Sequence, residues 1–234
     1  MKLVVVSVVS DPTNPGFARL RDSCKYYGYD FYPIFHPWIG FKTKLIAVRS
    51  LIPQLRRLKT THVLHTDGYD TIANRPAAEI HPFLSDGCLI SAELSQWPPI
   101  GIDNLFPTSP TEWRFPNSGG YLADIDYLEG YILDGIDREP MLSLEESGHQ
   151  PIHRNDDQLW LSWKFLRDQA RCRIDYQCQV FQTLAHTIDH SNKDGWSSRY
   201  DISQGYLINR ITGTRPSFVH GNGQTSMSWI PSPK

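Results

Sequence analysis

At 234 residues, 40% hydrophobic and 21% charged with a formal charge of −2, the chain reads as one α/β domain with insertions or two very small domains. It lacks the basic excess that nucleic-acid binding usually leaves, although a local basic patch can sit on a neutral chain. Cys24, Cys88, Cys172 and Cys178 form no C-x-x-C pair, so zinc-site spacing is absent and reduced, buried thiols are expected.

Leu3–Ser10 is a β-branched run that reads as a buried parallel strand, closed by the loop cluster from Asp11 to Gly16. The run is too short to span a membrane and has no small-residue cleavage site, which leads to the expectation of a cytoplasmic protein without a targeting signal. Phe17, Leu20, Cys24 and Tyr27 follow helical spacing that Gly28 ends. Asp30–Phe35 reads as a second strand. Leu45, Val48, Ile52 and Leu55 mark a second helix, with Pro53 a kink or early stop. Thr61–Thr66 reads as a third strand. The order β-α-β-α-β implies a mostly parallel central sheet with helices on both faces. In such sheets ligands bind beyond the carboxyl ends of the strands, which directs attention to the loops after the first and third strands.

Further along, the pattern predicts a helix over Arg75–Leu84, a strand over Cys88–Ala92 and a long Pro-rich loop over residues 94–116. A short strand over Tyr121–Ala123 follows. Ile125, Leu128 and Ile132 set one helix face. Leu159, Trp163 and Leu166 set another, opened by Asn155-Asp156-Asp157. Residues 186–217 are polar and Gly/Ser-rich, and read as loop.

Asp67-Gly68-Tyr69-Asp70 follows the third strand. Two carboxylates this close in a turn can share one hard cation, and such an ion can neutralise a diphosphate leaving group. Asp and Gly also suit an ordinary turn. Asn155-Asp156-Asp157-Gln158 precedes a helix, where one residue serves as a cap, and the run is longer than a cap requires. Asn117-Ser118-Gly119-Gly120 reads as a turn before a strand, or as a close backbone approach to a ligand. His220-Gly221-Asn222-Gly223 ends a late strand, so that His220 is either a surface residue of a tight turn or a third metal ligand. Glu93 and Trp97 stand in the Pro-rich loop, Trp97 being either a sugar platform or a core residue beneath it.

These segments in this order resemble the glycosyltransferase domain of the procollagen lysyl hydroxylase/glucosyltransferase family and, more distantly, collagen galactosyltransferases. The resemblance also takes in Lys44 within Gly40–Leu45 and the stretch Cys178–Gln182. It implies a GT-A, Rossmann-like fold in one domain, with residues 1–95 as a nucleotide half and 96–234 as an acceptor half. It implies manganese and a UDP-sugar as donor, UDP-glucose or UDP-galactose. Asp67, Asp70 and His220 would hold the metal and Tyr69 would stack on uracil. Val8, Val9, Ser10 and Gly68 would line the nucleotide, with Lys44 approaching the donor and Asn222, Gly223, Gln224 and Thr225 at the diphosphate. Asp156, Asp157, Trp97, Glu93 and Asn117 would surround the sugar and acceptor.

Gln224-Thr225-Ser226 stands where the family has Pro-Thr-Lys, and Arg154 and Asn155 shorten its acidic run. The lack of a leader makes a collagen acceptor in the secretory pathway a poor expectation, and a free-standing bacterial or viral transferase a better one. The acceptor is open between a hydroxylysine-like protein hydroxyl, hydroxymethylated pyrimidine DNA, and a saccharide or lipid-linked hydroxyl. Arg49, Arg56, Arg57 and Lys59 are either phosphate contacts for the DNA case or a solvated helix face. A nucleotide-sugar binding module without catalysis is the alternative from another class.

Overall fold

A computed structural model describes residues 1–137, 156–185, 198–223 and 225–231. Asn155, Gln224 and part of the 186–217 segment lie outside the described residues.

The first half follows the expected alternation. Strand β1 (Leu3–Val9) leads through helix α1 (Pro15–Tyr26) to β2 (Phe31–Phe35), then through α2 (Thr43–Arg57) to β3 (His62–Thr66). The Asn14 side chain caps α1 by accepting from the Gly16 N–H, and Pro15 opens the helix where its missing N–H costs nothing. After the C-cap, Gly28 takes φ +75°, the left-handed conformation glycine adopts without strain. Helix α2 runs through Pro53 to Arg57 rather than stopping there. Leu51, Ile52 and Leu55 are buried around the proline, and their packing outweighs the one backbone hydrogen bond it removes.

The central sheet has the order β2-β1-β3-β6-β5-β7, where β5 is Cys88–Glu93, β6 is Phe115–Asp124 and β7 is Cys172–Ile174. Only β6 runs against the others, so the sheet is mostly parallel. Its faces are read out by period-two alternation. Val4 and Val6 pack with Leu45, Val48 and Leu55 of α2, whereas Val5 packs with Leu20 and Cys24 of α1. Helix α3 (Ile125–Tyr127) is a short turn. Helix α4 (Asp157–Arg167) buries Leu159 and Trp160 on the α2 side. Helices therefore cover both faces.

A second sheet, β4-β11-β8 (Thr71–Ala73, Phe218–His220 and Phe181–Thr183), packs on the α1 side. A hairpin, β9 (Tyr200–Ser203) and β10 (Tyr206–Asn209), lies in the stretch expected to be loop. The four cysteines are free and buried. No helix among the described residues is long and apolar enough to cross a membrane.

Other local expectations are corrected. The helix predicted over Arg75–Leu84 is a 3-10 helix over Ala77–Phe83, with Pro82 inside it removing an α-helical donor. The helix face at Ile125, Leu128 and Ile132 is α3 followed by a π turn over Leu128–Ile132. Asn117–Gly120 is not a turn before a short strand, because it lies within the ten residues of β6. There β6 pairs Tyr121 with Ile90 and Asn117 with Ser91, so Ser118, Gly119 and Gly120 have no opposite residue on β5. That bulge re-aims the strand beside the loop after β3. Strands β4, β7 and β8 are three residues each, too short for the period-two signal to register.

Candidate active site

The cleft lies beyond the carboxyl ends of β1, β3 and β5. Its centre is a triad. Asp67 and Asp70 flank the turn after β3, and β4 begins at Thr71. The antiparallel register of β11 on β4 sets His220 opposite Thr71, and the Gly221 N–H donates to the Asp70 carbonyl at 2.7 Å. His220 Nε2 thus faces Asp67 Oδ2 at 3.5 Å and Asp70 Oδ2 at 3.4 Å. One ligand atom from each of the three lies within 4.8 Å of the others. Burial opposes the His220 imidazolium, but Asp70 and Asp67 outweigh that and raise its pKa above the ordinary histidine value.

Two glycines make this approach possible. A Cβ on Gly119 would stand 2.0 Å from His220 Cε1, and one on Gly68 would stand 2.9 Å from Ser7 Oγ and 3.0 Å from the Val8 carbonyl oxygen. The β6 bulge and the Asp67 turn can therefore close on the triad only without side chains there.

Lys44, in the first turn of α2, reaches Asp67 Oδ1 at 2.9 Å and Asp157 Oδ2 at 2.7 Å. Burial disfavours the ammonium, yet Asp157 and Asp67 hold its pKa above the ordinary lysine value. Burial likewise pushes Asp67 up, but Lys44, His220 and His65 hold its carboxyl below the usual range. Burial wins at Asp157, raising it to about 6 against the pull of Lys44. Burial also lowers His65, which is stacked on Tyr121, to about 3.

The acidic run divides by role. Asp156 is the N-cap of α4, accepting from the Leu159 N–H at 2.8 Å, while Asp157 turns to Lys44. Trp97 is 45% exposed at the mouth of the cleft, so it is a rim residue rather than a core one. Asn117, Asn222 and Gly223 also line the cleft, as do Phe41, Ser118 and Gln158, to which no individual role attached in the sequence. Gln158 had a signal in its place directly after two acids at a helix start. Phe41 had none.

Other expected residues lie elsewhere. Glu93 is buried behind the cleft, its carboxylate taken by side-chain amides. Val8 and Val9 are buried in β1. The Tyr69 hydroxyl accepts from the Ser10 N–H at 2.7 Å and the Asp11 N–H at 2.6 Å, which fixes the ring beside the end of β1. Thr225 is half-buried, its N–H donating to the Gly221 carbonyl at 3.1 Å. In the basic run, Arg49 pairs with Asp137, and Arg56 with Asp126 and Glu129, while Arg57 and Lys59 are exposed.

The cleft joins a nitrogen-and-oxygen donor set to an aromatic rim at the carboxyl edge of a mostly parallel sheet. Solved structures that share this fold are GT-A-like glycosyltransferases. One is a glycosyltransferase involved in the glycosylation of the major capsid of PBCV-1, with TM-score 0.56 and 13% identity over 95% of this chain and 94% of that one. Mouse xyloside xylosyltransferase 1 has TM-score 0.54 and 12% identity, covering 97% and 99% of the two chains. These likenesses define the fold class. The sequence model described as the PLOD GT domain matches residues 1–229, and the chain belongs to that family.

Among curated proteins, procollagen-lysine,2-oxoglutarate 5-dioxygenase of Drosophila melanogaster is 28% identical, over 95% of this chain and 30% of its own length. The human multifunctional procollagen lysine hydroxylase and glycosyltransferase LH3 is 23% identical, over 97% and 30%. Uncharacterized protein R699 of Acanthamoeba polyphaga mimivirus is 25% identical, over 75% and 34%. The chain thus spans about a third of the length of these relatives.

Proposed function

We propose that this domain transfers a hexose, glucose or galactose, from a UDP-sugar to an acceptor hydroxyl with the help of a divalent cation, manganese being the first candidate. The observation that carries the reading is the convergence of Asp67, Asp70 and His220 on one point at the sheet's carboxyl edge. Two carboxylates and an imidazole suit a divalent ion of intermediate hardness, and the His220 Nε2 edge is turned toward both acids. When bound, such an ion supplies charge stabilisation to a departing diphosphate.

The chain's own residues take the remaining roles. Lys44 is the sole lysine or arginine among the described residues lining the cleft, which makes it the protein cation nearest a diphosphate there. Tyr69 offers a ring held by the end of β1 to a nucleobase, with Val8, Val9, Ser10 and Gly68 as its surroundings. Asn222 and Gly223, with Gln224 and Thr225 following, take the diphosphate side. Asp157, Asn117 and Trp97 form the sugar and acceptor side, Asp157 to orient a hydroxyl and Trp97 to stack on a sugar ring. Residues 1–95 supply most of the donor side and 96–234 most of the acceptor side.

A protein hydroxyl is the favoured acceptor. The names of the relatives point to it, and the paired arginines together with Asp67, Asp70, Asp156 and Asp157 in one cleft disfavour a polyanion. The test is UDP release from UDP-glucose and UDP-galactose with manganese, with and without hydroxylysine peptides. Donor binding without UDP release under every condition overturns the transferase reading and leaves a binding module.

A further inference from the structure

Glu93 closes β5 and is 8% exposed, and three amides point their N–H groups at its carboxylate. Asn117 Nδ2 and Asn222 Nδ2 each donate to Oε2 at 3.0 Å, and Gln158 Nε2 donates to Oε1. The three come from β6, from the segment after β11 and from α4. At its other end each amide oxygen accepts from the main chain. Asn117 Oδ1 takes the Gly119 N–H at 3.0 Å, Gln158 Oε1 takes the Ser118 N–H at 3.2 Å, and Asn222 Oδ1 takes the Leu184 N–H at 3.0 Å.

Every amide is therefore oriented at both ends, and three donors meeting at one buried group require that group to be an acceptor on both of its oxygens. An ionised carboxylate is the side chain with that property. The hub is connected to the cleft. Gln158 follows Asp157 and also donates to the Trp97 carbonyl at 3.3 Å. Asn222 lies two residues after His220, and Asn117 orients the Gly119 N–H, whose residue packs on the His220 ring.

We propose that Glu93 is a positioning residue: an acceptor-only hub that sets the polarity of Asn117, Gln158 and Asn222, and through them the placement of Trp97, Asp157 and His220, without touching substrate. Its kinetic consequence rests on the glycosyltransferase reading, whereas the hydrogen-bond pattern does not.

Moving the charge tests it. In Glu93→Gln the new NH2 group faces amide donors. If Gln158 flips to accept from it, Gln158 turns its own NH2 toward the Ser118 N–H. In the double variant E93Q/Q158E the pattern closes again. The amide introduced at position 93 donates to the carboxylate introduced at position 158, which reverses the direction of that hydrogen bond, and the second carboxylate oxygen at position 158 accepts from the Ser118 N–H. The amide oxygen at position 93 still accepts from Asn117 and Asn222. Only the Trp97 carbonyl loses a donor.

The expected result is a turnover loss of about 100-fold in E93Q, the scale of a misplaced catalytic group, with UDP–manganese affinity changed far less. The double variant should recover to within about tenfold of the wild type, and hydrogen exchange at the Ser118 amide, which Gln158 holds, should quicken in E93Q and slow again in the double variant. A folded double variant that stays as inactive as E93Q overturns the proposal, because a carboxylate is then needed at position 93 for the substrate itself. If E93Q does not fold, the double variant is compared directly with the wild type. Fast exchange at Ser118 and at Ala185, whose N–H donates to Asn222 Oδ1 at 2.9 Å, in the wild-type protein overturns the hub whatever the variants do. A wild type that never releases UDP fails the transferase reading instead, and the exchange measurements then decide the hub alone.

Discussion

Lys44 and Asp157 form an ion pair of 2.7 Å across the cleft, joining the first turn of α2 to the first residue of α4. The same ammonium holds Asp67 at 2.9 Å, so one cation serves two carboxylates, one of which belongs to the candidate metal triad. The two sides of the cleft are thereby linked electrically.

Replacing Lys44 with methionine leaves Asp157 buried, and Asp67 half-buried, without the cation they share. Breaking a buried pair in this way costs about 3–5 kcal/mol. The loss should be large at pH 8 and smaller at pH 5. Asp157 stands near 6 even with Lys44 beside it, and without the cation it rises further and takes up a proton at the lower pH. Urea unfolding at the two pH values checks this, and D157N in the same background should recover part of the loss at pH 8. Equal losses at both pH values would show that packing, not charge, is what Lys44 provides.

Gly119 and Gly120 are neighbours in β6 with different duties. A Cβ on Gly119 meets His220, whereas one on Gly120 stands 2.6 Å from Phe181 Cδ1 in the core. G119A should weaken manganese binding at least about tenfold by displacing the imidazole. G120A should lower the melting temperature, with overpacking of this kind costing about 1–3 kcal/mol, and leave metal affinity nearly intact. Calorimetric titration with manganese beside thermal melting separates the two. Equal metal affinity in both variants contradicts the placement of His220.

Asp70 has a side chain 40% exposed, so D70A should cost little in stability by itself. Its effect should appear on adding manganese. The wild type gains about 2.7 kcal/mol at a metal concentration one hundred times Kd, and the variant should gain almost none. A full manganese-dependent rise in melting temperature for D70A removes Asp70 from the triad.

Burial raises Glu93 from an ordinary value of 4.5 to about 7, against the pull of Asn117, Gln158 and His220, so the acceptor-only form of the hub is the one present above about pH 7 and the protonated form prevails below it. A carboxyl whose folded pKa is raised binds its proton more tightly folded than unfolded, so its contribution to stability declines as pH climbs from about 4.5 through about 7. The decline is on the order of 3 kcal/mol, and Asp157 adds to it in the lower part of the window. Unfolding free energy measured between pH 4.5 and 7.5 should therefore slope downward, and E93Q should flatten the slope above pH 6. An unchanged slope in E93Q assigns the titration to another group.

Much of the site was legible because its residues are of types that chemistry restricts. Carboxylates three apart after a strand, a histidine beside glycines and a pair of acids at a helix start stand out against an apolar background, and their order carried the family resemblance. Phe41 was not legible, since an aromatic in a loop carries no period. Glu93 was legible as an acid of interest but not in its task, because the three amides that surround it come from distant parts of the chain.

The alternation of strand and helix through residue 66, the apolar faces of α1 and α2, and the candidate ligands Asp67 and Asp70 are readable from the chain alone, while His220 joins them as a ligand only through the family resemblance. The first three are local properties, set by side-chain period and residue chemistry. Only the tertiary structure decided that β6 enters between β3 and β5 with a bulge at Ser118–Gly120, that Asp156 caps while Asp157 pairs with Lys44, and that β11 aligns on β4 so that His220 faces Asp70. Strand register, bulges and buried ion pairs depend on which distant segments come to share one low-dielectric space, and no local pattern encodes that choice.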